Sequence, residues 1–81
     1  MEKQIKTQQE NPNGLYNRYI VSKVSGEPVD KNADYFVLRL DEYGDDLEHI
    51  AACRKAIMTY AEEIKNHLPQ LSADIIERYG D

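Results

Sequence analysis

His49 and Cys53 are the first pair in the sequence whose types and spacing could do chemistry. Four residues apart, they share a face if the segment is helical, which is half of a zinc ligand set. His67, the other histidine, is 18 residues from His49, about 27 Å along a helix axis, so the two cannot serve one ion. Cys53 is also the single cysteine. No metal or other cofactor is therefore expected, and Cys53 is read as a small buried apolar residue. The acidic run Asp41, Glu42, Asp45, Asp46 has neither the spacing nor the distal Glu of a calcium loop. Ser22, Ser25 and Ser72 lie in no Gly-x-Ser-x-Gly turn, and no glycine-rich phosphate loop is present. These residues predict no catalytic site, hence a protein that is not an enzyme.

A second group points to binding. Tyr19 and Lys23 alternate along one short segment, and Tyr35 and Arg39 along another. Aromatic planes beside cationic groups can stack a base and hold a phosphate. Arg54 joins this group because it stands within an otherwise apolar helix face, where a planar guanidinium can either snorkel out or reach an anion. A compact anionic ligand, held by Tyr19, Lys23, Tyr35, Arg39 and Arg54, is one expected partner. The third group is acidic: Glu48, Glu62, Glu63, Asp74 and Glu77 suit a basic protein surface, including a nucleic-acid groove bound by charge mimicry.

Elements must position these residues. Residues 1–17 are poor in large apolar side chains and are read as a flexible N-terminal arm. From Arg18 to Asp81 one small domain is expected. Residues 18–24 and 35–40 are rich in β-branched and aromatic types. With ten turn-forming residues between them, they predict a two-stranded antiparallel hairpin. Its inner face would carry Phe36, Leu38 and Leu40. Asp45 or Asp46 is placed to cap a helix from Leu47 to about Leu68, broken near Asn66–His67 by Pro69. Ser72 would cap a short helix 73–79, which Gly80 ends. The predicted fold class is α+β, a hairpin packed on one long helix and a short one.

The long helix carries an apolar arc about half its circumference wide, against the roughly 100° that a monomer's surface helix needs. Ile50, Cys53, Ile57, Tyr60 and Ile64 follow the 3-4 spacing of a helix seam. A second copy of the chain is expected to cover that seam, making a homo-oligomer with ligand pockets between subunits.

Composition bounds the rest. Eighty-one residues make one small domain, and the net charge of −5 disfavours direct nucleic-acid or anionic-membrane binding. Residues 18–40 sum to +1 and residues 41–81 to −6, so the acid lies in the helical half. One cysteine, no apolar run near 20 residues and no signal-like opening lead us to expect a cytoplasmic protein.

The strings Gly26-Glu27-Pro28-Val29-Asp30, Tyr35-Phe36-Val37-Leu38-Arg39-Leu40-Asp41, Tyr60-Ala61 and Pro69-Gln70-Leu71 with Asp74 are similar to a pattern found in very small phage and prophage accessory proteins. That class has a YFVLRLD-like strand, an Ala-rich helix containing AYA, and a closing P-x-L-x-x-D segment. The resemblance covers roughly residues 18–76. This chain departs from it in a longer polar N-terminal arm and in Thr59 before Tyr60. The resemblance implies an origin in a mobile element, where small non-catalytic proteins counter host defences, and carries over no functional residue.

Overall fold

In the computed structural model, which describes residues 5–80, the chain divides into two compact units, residues 1–37 and residues 38–81. Residues 1–4 of the expected arm, and Asp81, lie outside the described residues. Helix α1 spans Leu47–Ile64 and α2 spans Pro69–Tyr79, both in the second unit. No strand occurs among the described residues. The fold is all-α, which corrects the expected α+β class and its hairpin.

The reason lies in the connection between the two strand-like runs. Gly26 adopts φ +84°, a conformation that favours glycine, and its N–H donates to the Lys23 carbonyl at 3.1 Å. Asp30 then closes a second turn, its carbonyl accepting from Ala33 N–H and its carboxylate from Asn32 N–H at 2.8 Å. Two turns around Pro28 leave ten residues to close where a favoured hairpin loop has two to five. A lone two-stranded ribbon is at best marginal in water. Strand propensity expresses packing against neighbours, and these runs lack them: Ile20 and Val24 are fully exposed. The face predicted to point inward is also divided, with Phe36 exposed and Leu38 and Leu40 half-buried.

Local hydrogen bonds organise the first unit. Thr7 and Glu10 bond reciprocally: Thr7 N–H donates to Glu10 Oε1 at 2.8 Å, and Glu10 N–H donates to Thr7 Oγ1 at 3.2 Å. These Thr7 hydrogen bonds hold the Glu10 carboxyl below its ordinary pKa. Asn17 N–H reaches back to the Lys6 carbonyl at 2.8 Å.

The second unit is a helical hairpin. Asp46 caps α1, its carboxylate accepting from His49 N–H at 3.0 Å. The helix stops at Ile64, four residues before the expected end, where the His67 and Leu68 N–H groups both turn onto the Ile64 carbonyl. Pro69 explains both sides of the break. It biases Leu68 to extended backbone (φ −128°) and serves as the first residue of α2, where no N–H is needed. Helix α2 thus begins before Ser72, which is not its cap. Ser72 is buried and its hydroxyl donates to the Ala61 carbonyl at 2.7 Å. Ala61 faces Ser72, and Arg54 faces Tyr79, so the helices run antiparallel. Their shared core is Ile50, Cys53 and Ala61 from α1 with Ile75 from α2. Two small residues at the closest crossing, Ala61 and Ser72, let the backbones approach.

Residues 39–46 lie against the start of α1. A Cβ on Gly44 would sit 2.5 Å from Ile50 Cδ1 and 3.0 Å from Arg39 Cζ, so a side chain there would push the buried Ile50 methyl and the guanidinium aside. No helix among the described residues is long and apolar enough to cross a membrane.

Candidate functional site

The first unit holds an open cavity of about 360 Å³, within the range of small-molecule sites. Its apolar wall comes from Ile5, Val21, Val29 and Ala33. Its polar and aromatic wall is Asn17, Tyr19, Asp30, Lys31, Asp34 and Tyr35. Tyr19 and Tyr35, 16 residues apart, are brought to one cavity by the two turns that separate the strand-like runs. Each ring stays half-exposed. Of the five predicted ligand contacts, these two share a site.

The other three stand elsewhere. Lys23 is exposed in the turn that Gly26 closes and is not part of the cavity lining. Arg39 belongs to the second unit and grips Asp41 with two nitrogens, at 2.7 and 3.1 Å. That guanidinium, joined by the Tyr43 N–H, holds the Asp41 carboxyl below its usual range. Arg54 is turned inward, with its side chain 23% exposed. One terminal nitrogen donates to the Leu40 carbonyl, the other to the Tyr79 carbonyl at 3.0 Å, with Glu42 at 3.6 Å. Arg54 is therefore a clasp joining residues 40–42, α1 and the end of α2. Its charge meets the negative pole of the α2 dipole, where an unpaired carbonyl needs a donor.

The cavity residues that sequence reasoning missed are Asn17, Asp30, Lys31 and Asp34. Asp30-Lys31-Asn32 forms an Asx turn, so turn formers here both close the loop and line the cavity. Arg18 sits beside the site, not in its lining: its guanidinium lies 4.8 Å from the Tyr16 ring centre and bonds the Tyr16 hydroxyl. That contact raises its already high pKa.

The predicted seam residues divide as well. Ile50 and Cys53 are buried within the chain, Ile57 and Ile64 are half-buried, and Tyr60 is exposed. On α2, Leu71 and Ile76 flank the buried Ile75 and remain exposed, as does Leu47 at the start of α1. His49 Nε2 lies 3.6 Å from Cys53 Sγ, one turn apart. Among the described residues no three His, Cys, Asp or Glu side chains converge as a metal site.

Charge separates by unit. Residues 38–81 carry ten acidic and five basic side chains, net −5, and residues 1–37 carry five of each. Helical periodicity puts Glu48, Glu62 and Glu63 on the face of α1 opposite its core, and Asp74 and Glu77 on the face of α2 opposite its core. In an antiparallel hairpin those two faces point away from each other. The five acids therefore form two surfaces. No protein-family model, curated protein or solved structure matches this chain.

Proposed function

We propose that this chain is a non-catalytic binding protein that assembles as a homo-oligomer and sequesters a small anionic, nucleotide-like ligand. The observation that carries the reading is the cavity whose lining unites Tyr19 and Tyr35 with Asn17 and Lys31. Paired tyrosines offer stacking surfaces for a base, and Lys31, which makes no ion pair among the described residues, can meet a phosphate. Assembly is supported by the apolar flanks that the hairpin leaves exposed: Leu47, Tyr60, Leu68, Leu71 and Ile76 are each 41–62% accessible. Arg54 leaves the ligand set, because its donors are engaged within the hairpin. An origin in a phage or prophage, action against a host defence and work in the host cytoplasm rest on the resemblance and the single cysteine.

Thermal-shift titration with cyclic and linear nucleotides tests the reading. A stabilisation that is lost in Tyr19→Ala and Tyr35→Ala variants, with the amide NMR signals of the first unit otherwise unchanged, is the expected result. Flat responses to every nucleotide would remove it. Native mass spectrometry addresses assembly, and a monomer at micromolar concentration would end that part.

A second reading is favoured by one observation, the concentration of the whole net charge in residues 38–81. The outer face of α1, with Glu48, Glu62 and Glu63, would dock on a basic protein surface that otherwise holds nucleic acid. Glu62 and Glu63 occupy the last turn of α1, where carboxylates oppose the helix dipole. A partner captured by the wild-type chain, displaced by duplex DNA and lost on Glu62→Gln/Glu63→Gln would support it. Capture indifferent to those substitutions would refute it.

A further inference from the structure

We infer that the cavity in the first unit selects the guanine base of its nucleotide; the inference rests on the nucleotide-binding reading above and names its specificity. The starting point is a conflict in the lining. The lining holds two acidic residues, Asp30 and Asp34, and one basic residue, Lys31. That balance repels a phosphate placed inside and favours groups that donate hydrogen bonds, because an ionised carboxylate only accepts. The neutral base therefore belongs against the two carboxylates, and the phosphate beside Lys31 and away from them.

The two carboxylates are not equivalent. Asp30 is held by its own turn, with Oδ1 on the Asn32 N–H at 2.8 Å. Asp34 makes no hydrogen bond or ion pair among the described residues, so both of its oxygens are available. A carboxylate with two open oxygens matches two adjacent N–H donors in a bidentate pair. Guanine presents that edge, with its ring N1–H beside its exocyclic amino group. Adenine and cytosine present one amino group next to a bare ring nitrogen, which would face the carboxylate lone pair to lone pair. Uracil places carbonyl oxygens on both sides of its N–H. Discrimination arises as much from these repulsions as from the guanine pair itself. A bidentate pair of this kind is worth about 10- to 100-fold in affinity between right and wrong bases. Tyr19 and Tyr35 supply stacking that every base can use, so they set affinity and Asp34 sets choice.

The full chain is titrated by calorimetry with cyclic and linear nucleotides matched in phosphates and differing only in base. Guanine nucleotides should bind at least 10-fold tighter than adenine ones, with hypoxanthine, which lacks the amino group, between them. Asp34→Asn should weaken guanine binding and strengthen adenine binding, because the amide donates to adenine's bare ring nitrogen while its oxygen still accepts from the amino group, with the amide NMR signals of the first unit otherwise unchanged. Equal affinity for all bases would overturn the guanine assignment and leave nucleotide binding standing. A guanine preference that survives Asp34→Asn would overturn the role of Asp34. Absence of binding by any nucleotide at millimolar concentration would remove both readings together.

Discussion

Replacing Arg54 by Met removes the clasp while keeping most of the aliphatic stem. Two hydrogen bonds from a charged donor are lost, those to the Leu40 and Tyr79 carbonyls. Such bonds are worth about 1.5–3 kcal/mol each when fully buried. The side chain is 23% exposed, and the Tyr79 carbonyl at a helix end can recover water, so the lower end applies. The favourable charge at the α2 C-terminus adds about 0.3–1 kcal/mol. The Glu42 ion pair, with a carboxylate side chain 68% exposed, adds little. A total loss of about 3–4 kcal/mol follows, a large share of the roughly 4–12 kcal/mol expected of a chain this size. At about 4–8 °C per kcal/mol, the melting temperature should fall by about 12–32 °C. Thermal melts followed at 222 nm report it. Arg54→Lys should recover only part of the loss, since one ammonium cannot span both carbonyls as the guanidinium fork does. A melt of Arg54→Met within about 3 °C of wild type would refute the clasp. So would a variant that loses ligand binding with its melting temperature unmoved, because Arg54 would then serve the ligand instead of the fold.

Gly44→Ala should destabilise by about 1–3 kcal/mol, because its Cβ would overlap the Ile50 methyl at 2.5 Å; urea denaturation measures this. Ile75→Ala, at the hairpin core, should cost about 2–4 kcal/mol in the same assay. Ser72→Ala should cost about 1 kcal/mol by removing the hydroxyl bond to Ala61, whereas Ser72→Val should cost more by forcing the helices apart. The Asp41 carboxyl has a folded pKa below its unfolded value, so its contribution is present above the unfolded value and is lost as pH falls through the folded one. Carboxyl chemical shifts should show Asp41 titrating below the ordinary range near pH 4, and Arg39→Gln should return it there.

Helix α1 was legible because its determinants are local. Asp46 supplies the cap, the run from Leu47 lacks Gly and Pro, and apolar residues recur at helical spacing, so hydrogen bonds and side-chain periodicity agree without distant help. Pro69 likewise marked the break, although the side on which the second helix begins depended on Ser72. A serine near a helix start has two uses, capping N–H groups or donating across a helix crossing. Only the approach of Ala61 decides between them.

The site was half legible. Tyr19 and Tyr35 were found from residue type, but alternation in an assumed strand placed Lys23 and Arg39 beside them, and that ladder does not form. By itself the sequence determined a capped amphipathic helix, a proline-marked break and a charge imbalance between the two halves, since those follow from neighbours within a few residues. Tertiary structure alone decided that residues 18–24 and 35–40 do not pair, that Arg54 binds carbonyls 14 and 25 residues away, and that Asp34 stands open beside two tyrosines. Strand pairing, long-range donors and cavity walls depend on partners distant in the chain, and a local pattern carries no record of which partner arrives.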